Sequence, residues 1–350
     1  MDAVEAVGDA ASRFRVRLAT DLGSAFDSPV LLEVSSTSAA SGVGAGPYQP
    51  AAVVPWDQPW WESDVTAWIG EHLPDEFRIR RRKKHSWPWS VVVRVRSASD
   101  LFWFKEVGRG LGHEPGLTEL LARHAPDLSP DVVAASGARL LVGHAGVKLG
   151  RDPLLTSRNG FRIWEQVAAR YADLQIRLSS VPGLPAQDCR PATLLQRFSG
   201  SDSIAGLVAS LGDGIRESIL NLSLNNQNVC IAGGRPVFID WGSAAVGHPF
   251  CGFVTPLRVL VHQLRAEPGG RVVRRVRDAY LEPWTRYAPL RELRRTFAAA
   301  FPLGLLCRSV IRRNLYESLP ADIGGPYLHK LDRHLHHFGE TLRSTYRLGA

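Results

Sequence analysis

The sequence NLSLNNQN at residues 221–228, followed by FIDWG at residues 238–242, decides the predicted fold. Asn228 begins one short apolar strand and Asp240 ends another, and a glycine pair between the strands is typical of a tight hairpin turn. Because a hairpin brings its two ends together, we expect these two side chains to face one ligand. Carboxylate and amide oxygens are ligands that suit Mg²⁺. The stretch therefore predicts a metal site at Asn228 and Asp240.

The loop before this hairpin has the spacing of a phosphoryl-transfer loop but lacks its carboxylate. Such loops follow the pattern H-x-D-x-x-x-x-N, in which the Asp orients the acceptor hydroxyl and the Asn binds metal. Here Asn221 stands at the His position, Ser223 at the base position and Asn228 at the metal position. Ser223 cannot act as a carboxylate base at neutral pH, and losing a general base typically costs about 10²- to 10⁴-fold in rate.

Length and composition set broad limits on the class of protein. The 350 residues, 45% hydrophobic and 22% charged, are enough for two lobes of a globular protein. We expect no membrane span and no signal peptide, and hence a cytoplasmic protein, because no apolar run is long enough and the N-terminus lacks a basic segment. The four widely spaced cysteines predict free thiols. The net charge of +8 favours anionic partners.

Residues 56–147 have the pattern of a small β-rich nucleotide lobe. Apolar spacing predicts a helix over residues 59–73, and alternation predicts a hairpin over residues 90–107. A helix is expected over residues 114–124, with two further strands around Gly137.

The remaining chain divides into an N-terminal extension and a larger lobe. Residues 1–55, rich in Ser, Ala, Gly and Pro from position 35 onward, are expected to form an extension and flexible linker. Residues 148–350 have helical apolar spacing, and residues 195–222 are included in this helical prediction. The predicted fold class is therefore α+β, bilobal and protein-kinase-like, with a small N-terminal β-rich lobe and a larger, mainly helical C-terminal lobe.

Three residues of the small lobe are candidates for nucleotide binding. Lys105 lies on the second strand of the hairpin, where it can reach phosphates, and Glu114 begins the next helix, where it can fix that lysine by an ion pair. Ser90 follows the turn at residues 85–89, one of two turns that could cover the phosphates; the other is at residues 97–100. Neither turn is rich in glycine, which argues against tight ATP binding.

Together these motifs resemble the aminoglycoside phosphotransferase family. Besides the stretches already quoted, the resemblance rests on FK at 104–105, HEPGLTELL at 113–121, YADLQ at 171–175 and HPF at 248–250. It covers the chain from about residue 56 to the C-terminus. The resemblance implies an ATP site between the lobes, with Lys105 and Glu114 on phosphate and Asn228 and Asp240 on Mg²⁺. It also implies a substrate cleft built by the C-terminal helices.

The departures from the family pattern leave the activity open. The family loop reads H-x-D-L-H-x-x-N, so Asn225 replaces its second histidine while Asn221 and Ser223 replace the other two groups. This favours a pseudokinase, or repurposed cleft-binding protein, that binds a nucleotide, another anion or a protein partner. Natural-product or peptide modification is one context in which proteins of this fold are used. The alternative is an active ATP-dependent kinase with an unusual base.

Two further considerations bear on the partner. Basic C-terminal helices make a polycationic acceptor a poor fit, so an active kinase would take an anionic small molecule or a peptide. A third interpretation, a nucleic-acid-binding protein, rests on the basic residues at 80–84 and 271–277, which no recognised nucleic-acid motif accompanies.

Overall fold

The structure is a computed structural model that describes residues 54–73, 76–151, 160–263, 266–267 and 269–331, together with three short strands near the N-terminus. Those strands, β1 (Ala3–Ala6), β2 (Phe14–Ala19) and β3 (Glu33–Ser36), pair in this order as an antiparallel sheet. Most of the linker predicted before residue 56 lies outside the described residues.

A five-stranded antiparallel sheet forms the first large element of the fold. Its strands are β4 (Phe77–Trp87), β5 (Ser90–Ser97), β6 (Leu101–Val107), β7 (Val132–Ser136) and β8 (Arg139–Gly143), in the order β4-β5-β6-β8-β7. The predicted hairpin is confirmed as β5 and β6, with Val92 opposite Lys105. The basic residues at 80–84 lie on β4, an edge strand of this sheet.

Two helices accompany this sheet. The helix predicted over residues 59–73 is confirmed as α1 (Trp61–Gly70), which packs its buried face against the alternating valines of β5. Trp61 also donates its indole N–H to the Glu106 carboxylate at 2.9 Å. The second helix, α2 (Glu114–His124), has the predicted bounds and places Glu114 in its first turn.

The rest of the described chain is mainly helical. Its helices are α3 (Gly160–Leu178), α4 (Pro191–Arg197), α5 (Asp202–Ala209), α6 (Val254–Gln263), α7 (Arg271–Leu281) and α8 (Leu290–Glu317), and residues 321–331 are also helical. One small sheet has the order β13 (Arg235–Phe238), β12 (Val229–Ala232), β9 (Val147–Lys148), and the second has the order β10 (Gln187–Cys189), β14 (Ala244–Gly247), β11 (Ser218–Asn221). The predicted glycine hairpin is therefore β12 and β13.

The helical prediction for residues 195–222 is wrong in its second half. After α5 the chain turns at Gly212, which has a φ of +66°, and then enters strand β11. All four residues of β11 are buried, and the strand pairs antiparallel with β14. Only Ile219 and Leu220 of these four residues are apolar, and the segment is too short for a helix. Pairing with β14 makes it an edge strand of that sheet.

The largest core lies in the helical part. It includes a stack of aromatic rings in which Phe253 and Tyr280 lie 4.1 Å apart at an interplanar angle of 5°. The four cysteines are free, as predicted, and buried. Within the described ranges, no helix has both the length and the apolar character needed to cross a membrane.

Candidate phosphoryl-transfer site

Helix α3 positions the strand that leads into the asparagine-rich loop. The Tyr171 hydroxyl accepts a hydrogen bond from the Asn221 backbone N–H at 2.7 Å. One turn later, the Gln175 side-chain amide donates to the carbonyls of Ile219 at 2.8 Å and Pro249 at 3.0 Å. Because these partners are buried, the hydrogen bonds fix where the loop begins.

Side-chain amides hold the loop itself. Asn221 accepts from the Ser223 N–H at 3.0 Å and donates to the Asp240 carbonyl at 3.2 Å. The amides of Asn225 and Asn228 both donate to the Ser223 carbonyl, at 2.8 and 3.0 Å. The main chain at Ser223 is thus fixed on both sides, while its hydroxyl forms no hydrogen bond with any described residue.

The structure brings together three of the predicted site residues. The Lys105 Nζ lies 2.7 Å from Glu114 Oε1 and 2.7 Å from Asp240 Oδ1. Burial alone would lower the pKa of Lys105, but the charges of Asp240 and Glu114 outweigh it and raise that pKa above its ordinary value. Lys105 is therefore a permanent cation between two carboxylates.

The two carboxylates have different environments. The Glu114 side chain is 2% exposed, and burial raises its pKa against the opposing charge of Lys105. It also accepts a hydrogen bond from the Trp241 N–H at 3.1 Å. The Asp240 side chain is 48% exposed; desolvation would raise its pKa, yet Lys105 and a hydrogen bond from Asn228 keep it below the ordinary value. Asp240 is thus an ionised, accessible carboxylate with Asn228 beside it.

The backbone at Asp240 and Gly242 is specialised for this arrangement. Asp240 has a φ of +62°, a left-handed conformation that Asp tolerates better than most residues. A Cβ atom on Gly242 would lie 2.9 Å from Glu114 Oε2 and 3.2 Å from a methyl group of Leu111. The glycine of the FIDWG motif therefore leaves room for the buried carboxylate.

Replacing Gly242 with alanine is expected to lower the free energy of unfolding by about 1–3 kcal/mol, the typical range for overpacking a filled site. Urea denaturation measures the change. The matched control is Gly116→Ala in helix α2, where an added Cβ meets no atom within 4 Å. That substitution is expected to stabilise by about 0.5–1 kcal/mol, because glycine is unfavourable inside a helix. Equal effects at the two positions would contradict the packing account.

The turn at Pro88 and Trp89 packs against the C-terminal helices through aromatic rings. The Trp89 ring lies 5.8 Å from the ring of Tyr316 on α8 and 5.1 Å from that of Tyr327. Ser90 follows the turn as a buried residue at the start of β5, and its role in nucleotide binding stays a prediction.

Sequence reasoning missed several charged residues near the loop. Arg308 on α8 donates from Nε to the Leu222 carbonyl at 3.1 Å, and Arg258 on α6 and Arg312 on α8 lie close enough to affect its pKa. Lys148 on β9 contributes to the lowered pKa of Asp240. The four-residue spacing of Arg308 and Arg312 was a visible signal, but their position beside the loop depends on helix packing.

Comparison with known proteins identifies the fold. No family model matches the sequence, and no curated protein matches it. Among solved structures, the chain is similar to the amicoumacin kinase hAmiN in complex with AMP-PNP, Ca²⁺ and Ami. The sequence identity is 14%, the match covers 79% of this chain and 93% of that chain, and the TM-score is 0.51. A choline kinase from Cryptosporidium parvum Iowa II gives 9% identity, coverage of 80% and 96%, and a TM-score of 0.51.

A macrolide 2'-phosphotransferase, MphH from Brachybacterium faecium, gives 18% identity, coverage of 73% and 98%, and a TM-score of 0.44. At 14% and 9% identity, the likeness to the amicoumacin kinase and the choline kinase establishes the fold alone. The predicted α+β, protein-kinase-like fold is confirmed.

Proposed function

We propose that this chain is a pseudokinase that binds ATP or another nucleotide with Mg²⁺ in the cleft beside the five-stranded sheet, and lacks the group that activates an acceptor hydroxyl. The observation that carries this function is an intact Lys105–Glu114–Asp240 ion-pair network next to an uncharged Ser223. The binding half of a phosphoryl-transfer site is retained, and the carboxylate of its proton-accepting half is absent from position 223.

The retained residues suit a nucleotide and its metal ion. Lys105 would contact phosphate oxygens, with Glu114 holding it in place. Asp240 and Asn228 would hold Mg²⁺, which neutralises phosphate charge when bound. Mg²⁺ sites commonly combine one or two protein ligands with phosphate oxygens. This matches the described part of the chain, where no group of three or more His, Cys, Asp or Glu side chains could hold a metal.

The altered loop supports the proposal that phosphoryl transfer by this protein is weak or absent. Ser223 contacts Asn221, Asn225 and Asn228 through its main chain, and no carboxylate among the described residues bonds to it. An acceptor hydroxyl would therefore lose its proton without a positioned base, which lowers the rate by about 10²- to 10⁴-fold. Electrostatic stabilisation by the remaining groups would leave a slow residual activity.

Asp240→Asn is expected to abolish the Mg²⁺-dependent stabilisation of the protein by AMP-PNP. For the wild type, a ligand at about 100 times its Kd should add about 2.7 kcal/mol to the free energy of unfolding. Thermal melts with AMP-PNP, with and without Mg²⁺, measure the difference. Asp213→Asn, a change at an exposed carboxylate, is the control and should behave as wild type. A wild-type melt that does not respond to millimolar Mg·AMP-PNP would refute nucleotide binding.

The alternative is an active kinase of a small molecule or peptide with an unusual base. The same retained network supports it, so turnover separates the two functions. Steady ATP-dependent phosphorylation that Asp240→Asn abolishes would replace the pseudokinase proposal with the active one. For either function we propose a cytoplasmic protein whose partner is a small molecule, a peptide or a protein.

A further inference from the structure

Three arginines lie close to one another, and one of them contacts the loop next to Ser223. We call Arg258, Arg308 and Arg312 the arginine cluster; Arg258 lies on α6, and the other two lie one turn apart on α8. The Leu222 carbonyl, directly before Ser223, accepts hydrogen bonds from Arg308 Nε at 3.1 Å and from the hydroxyl of α6 residue Thr255 at 2.8 Å. Helices α6 and α8 therefore converge on the residue next to the missing base.

The cluster extends from the loop toward the turn after β4. Arg308, Arg312 and Tyr316 are spaced four residues apart and share one face of α8. Arg308 contacts the loop at one end of this face, and at the other end the Tyr316 ring lies 5.8 Å from that of Trp89 in the turn. Arg312 therefore occupies the stretch of α8 between the loop and the turn.

The positive charges of this face lack carboxylate partners. In the part of the chain that the structure describes, neither Arg308 nor Arg312 forms an ion pair with a carboxylate. By contrast, Arg294 near the start of α8 pairs with Asp278 at 2.8 Å. A pair of half-buried guanidinium groups held one helical turn apart without an acid is unfavourable by itself.

Burial is the main cause that lowers the pKa values of the cluster, and neighbouring positive charge adds to it at Arg308 and Arg258. Burial, with the neighbouring charges of Arg312 and Arg258, lowers the pKa of Arg308 to about 9. Burial also lowers the pKa of Arg312, and burial together with Arg312 lowers that of Arg258. All three groups still carry charge at neutral pH, so a bound anion would offset a repulsion that already exists.

We propose that the arginine cluster binds an oxyanion, a carboxylate or phosphate group, on the ligand that occupies the acceptor side of the cleft. Planar guanidinium groups match such anions through paired, charge-assisted hydrogen bonds. The proposal rests on the proposed function in one respect, since it names the class of molecule that faces the nucleotide in the same cleft. It also implies that the cleft rejects polycationic ligands by like-charge repulsion.

Arg312→Gln is expected to weaken binding of inorganic phosphate by about ten- to a hundredfold, the loss that accompanies one hydrogen bond to a charged group. Calorimetric titration with phosphate, and separately with acetate as the carboxylate probe, measures affinity at constant ionic strength. Arg295→Gln, an exposed arginine on the same helix, is the matched control and should bind as wild type. Without added anion, Arg312→Gln should melt at or above the wild-type temperature, because it removes a repelling charge.

Unchanged phosphate binding in Arg312→Gln, or equal weakening in Arg295→Gln, would overturn the site. Binding of both probes through Arg312 supports a general oxyanion site, and binding of phosphate alone narrows the ligand to phosphates. Failure of both probes to bind the wild type would also reject the proposal.

Repeating the phosphate titration with saturating Mg·AMP-PNP separates this site from the nucleotide site. Undiminished, Arg312-dependent phosphate binding places the anion on the acceptor side. If AMP-PNP excludes phosphate and Arg312→Gln weakens AMP-PNP binding equally, the cluster binds the nucleotide and the acceptor-side proposal is wrong. If AMP-PNP does not bind while phosphate binds through Arg312, the pseudokinase function fails and the anion site stands.

Discussion

Replacing Lys105 with methionine is expected to lower the free energy of unfolding by about 3–5 kcal/mol, the range measured when one partner of a buried ion pair is removed. The Lys105 side chain is 14% exposed and that of Glu114 is 2% exposed, so little water is available to replace the lost cation. Glu114 would keep its hydrogen bond from the Trp241 N–H but lose its charged partner. Urea denaturation at neutral pH measures the change.

The double variant Lys105→Met/Glu114→Leu tests the cause. Replacing a buried ion pair with apolar residues of similar volume is often nearly neutral, so the second substitution should recover much of the loss. Lys148→Met is the matched control, because Lys148 is half-buried and forms no ion pair with any described residue. Its effect on unfolding should be much smaller than that of Lys105→Met.

The loss in Lys105→Met should also depend on pH. Burial already raises the pKa of Glu114, and without Lys105 that pKa rises further. A carboxyl whose folded-state pKa is raised destabilises the protein most at high pH, and the penalty falls as pH drops through that pKa. The loss should therefore be smaller at about pH 5 than at about pH 7.5. A loss that is equal at both pH values would mean that lost packing, and not a buried charge, is the cause.

Elements with a strong local pattern could be predicted from the sequence. Helix α2 has the predicted bounds, and the hairpin of β5 and β6 covers the predicted residues 90–107, because the apolar periodicity and start signals lie within each segment. Strands β11 and β14 could not be recognised in the same way. Their residues become strands through pairing with each other across the asparagine-rich loop and the glycine hairpin, an interaction that local propensity does not report.

The candidate site also contains some residues that the sequence could predict and others that it could not. Motif spacing brought Lys105, Glu114 and Asp240 forward as candidates, and the structure places one carboxylate oxygen of Glu114 and one of Asp240 each 2.7 Å from Lys105 Nζ. The arginine cluster depends on how closely α6 and α8 approach. Gly304, one turn before Arg308, has no room for a Cβ atom, which would lie 2.6 Å from a methyl group of Val254 at the start of α6. No sequence period reports such an approach.

The asparagines of the loop had a structural role that motif comparison did not indicate. In the sequence, Asn221 and Asn225 stand at the two positions where the family loop pattern has histidines. In the fold they hold the main chain of Ser223 from both sides, and Asn221 also holds the Asp240 carbonyl. The loop therefore keeps a defined geometry without charged groups, which is the condition under which a single carboxylate could be restored.

Ser223→Asp is expected to raise the rate of phosphoryl transfer from ATP to water by about 10²- to 10⁴-fold, the contribution typical of a positioned general base. The backbone at position 223 is already fixed by three amide hydrogen bonds, so the new side chain would emerge from a defined point. Arg308, bound to the carbonyl of the preceding residue, would favour the ionised carboxylate. Release of inorganic phosphate from Mg·ATP measures the rate.

Ser223→Asn is the matched control, because it has nearly the same shape as the aspartate variant but cannot accept a proton at neutral pH. Its rate should stay at the wild-type level, and adding Asp240→Asn to Ser223→Asp should remove the gain. If the aspartate and asparagine variants hydrolyse ATP equally slowly while both still bind AMP-PNP, the absence of a carboxylate at position 223 does not account for the proposed lack of transfer. The cause would then lie in how the nucleotide sits against Lys105 and the aromatic contacts of the Trp89 turn. A gain that appears in the aspartate variant alone would instead place the block to transfer at position 223.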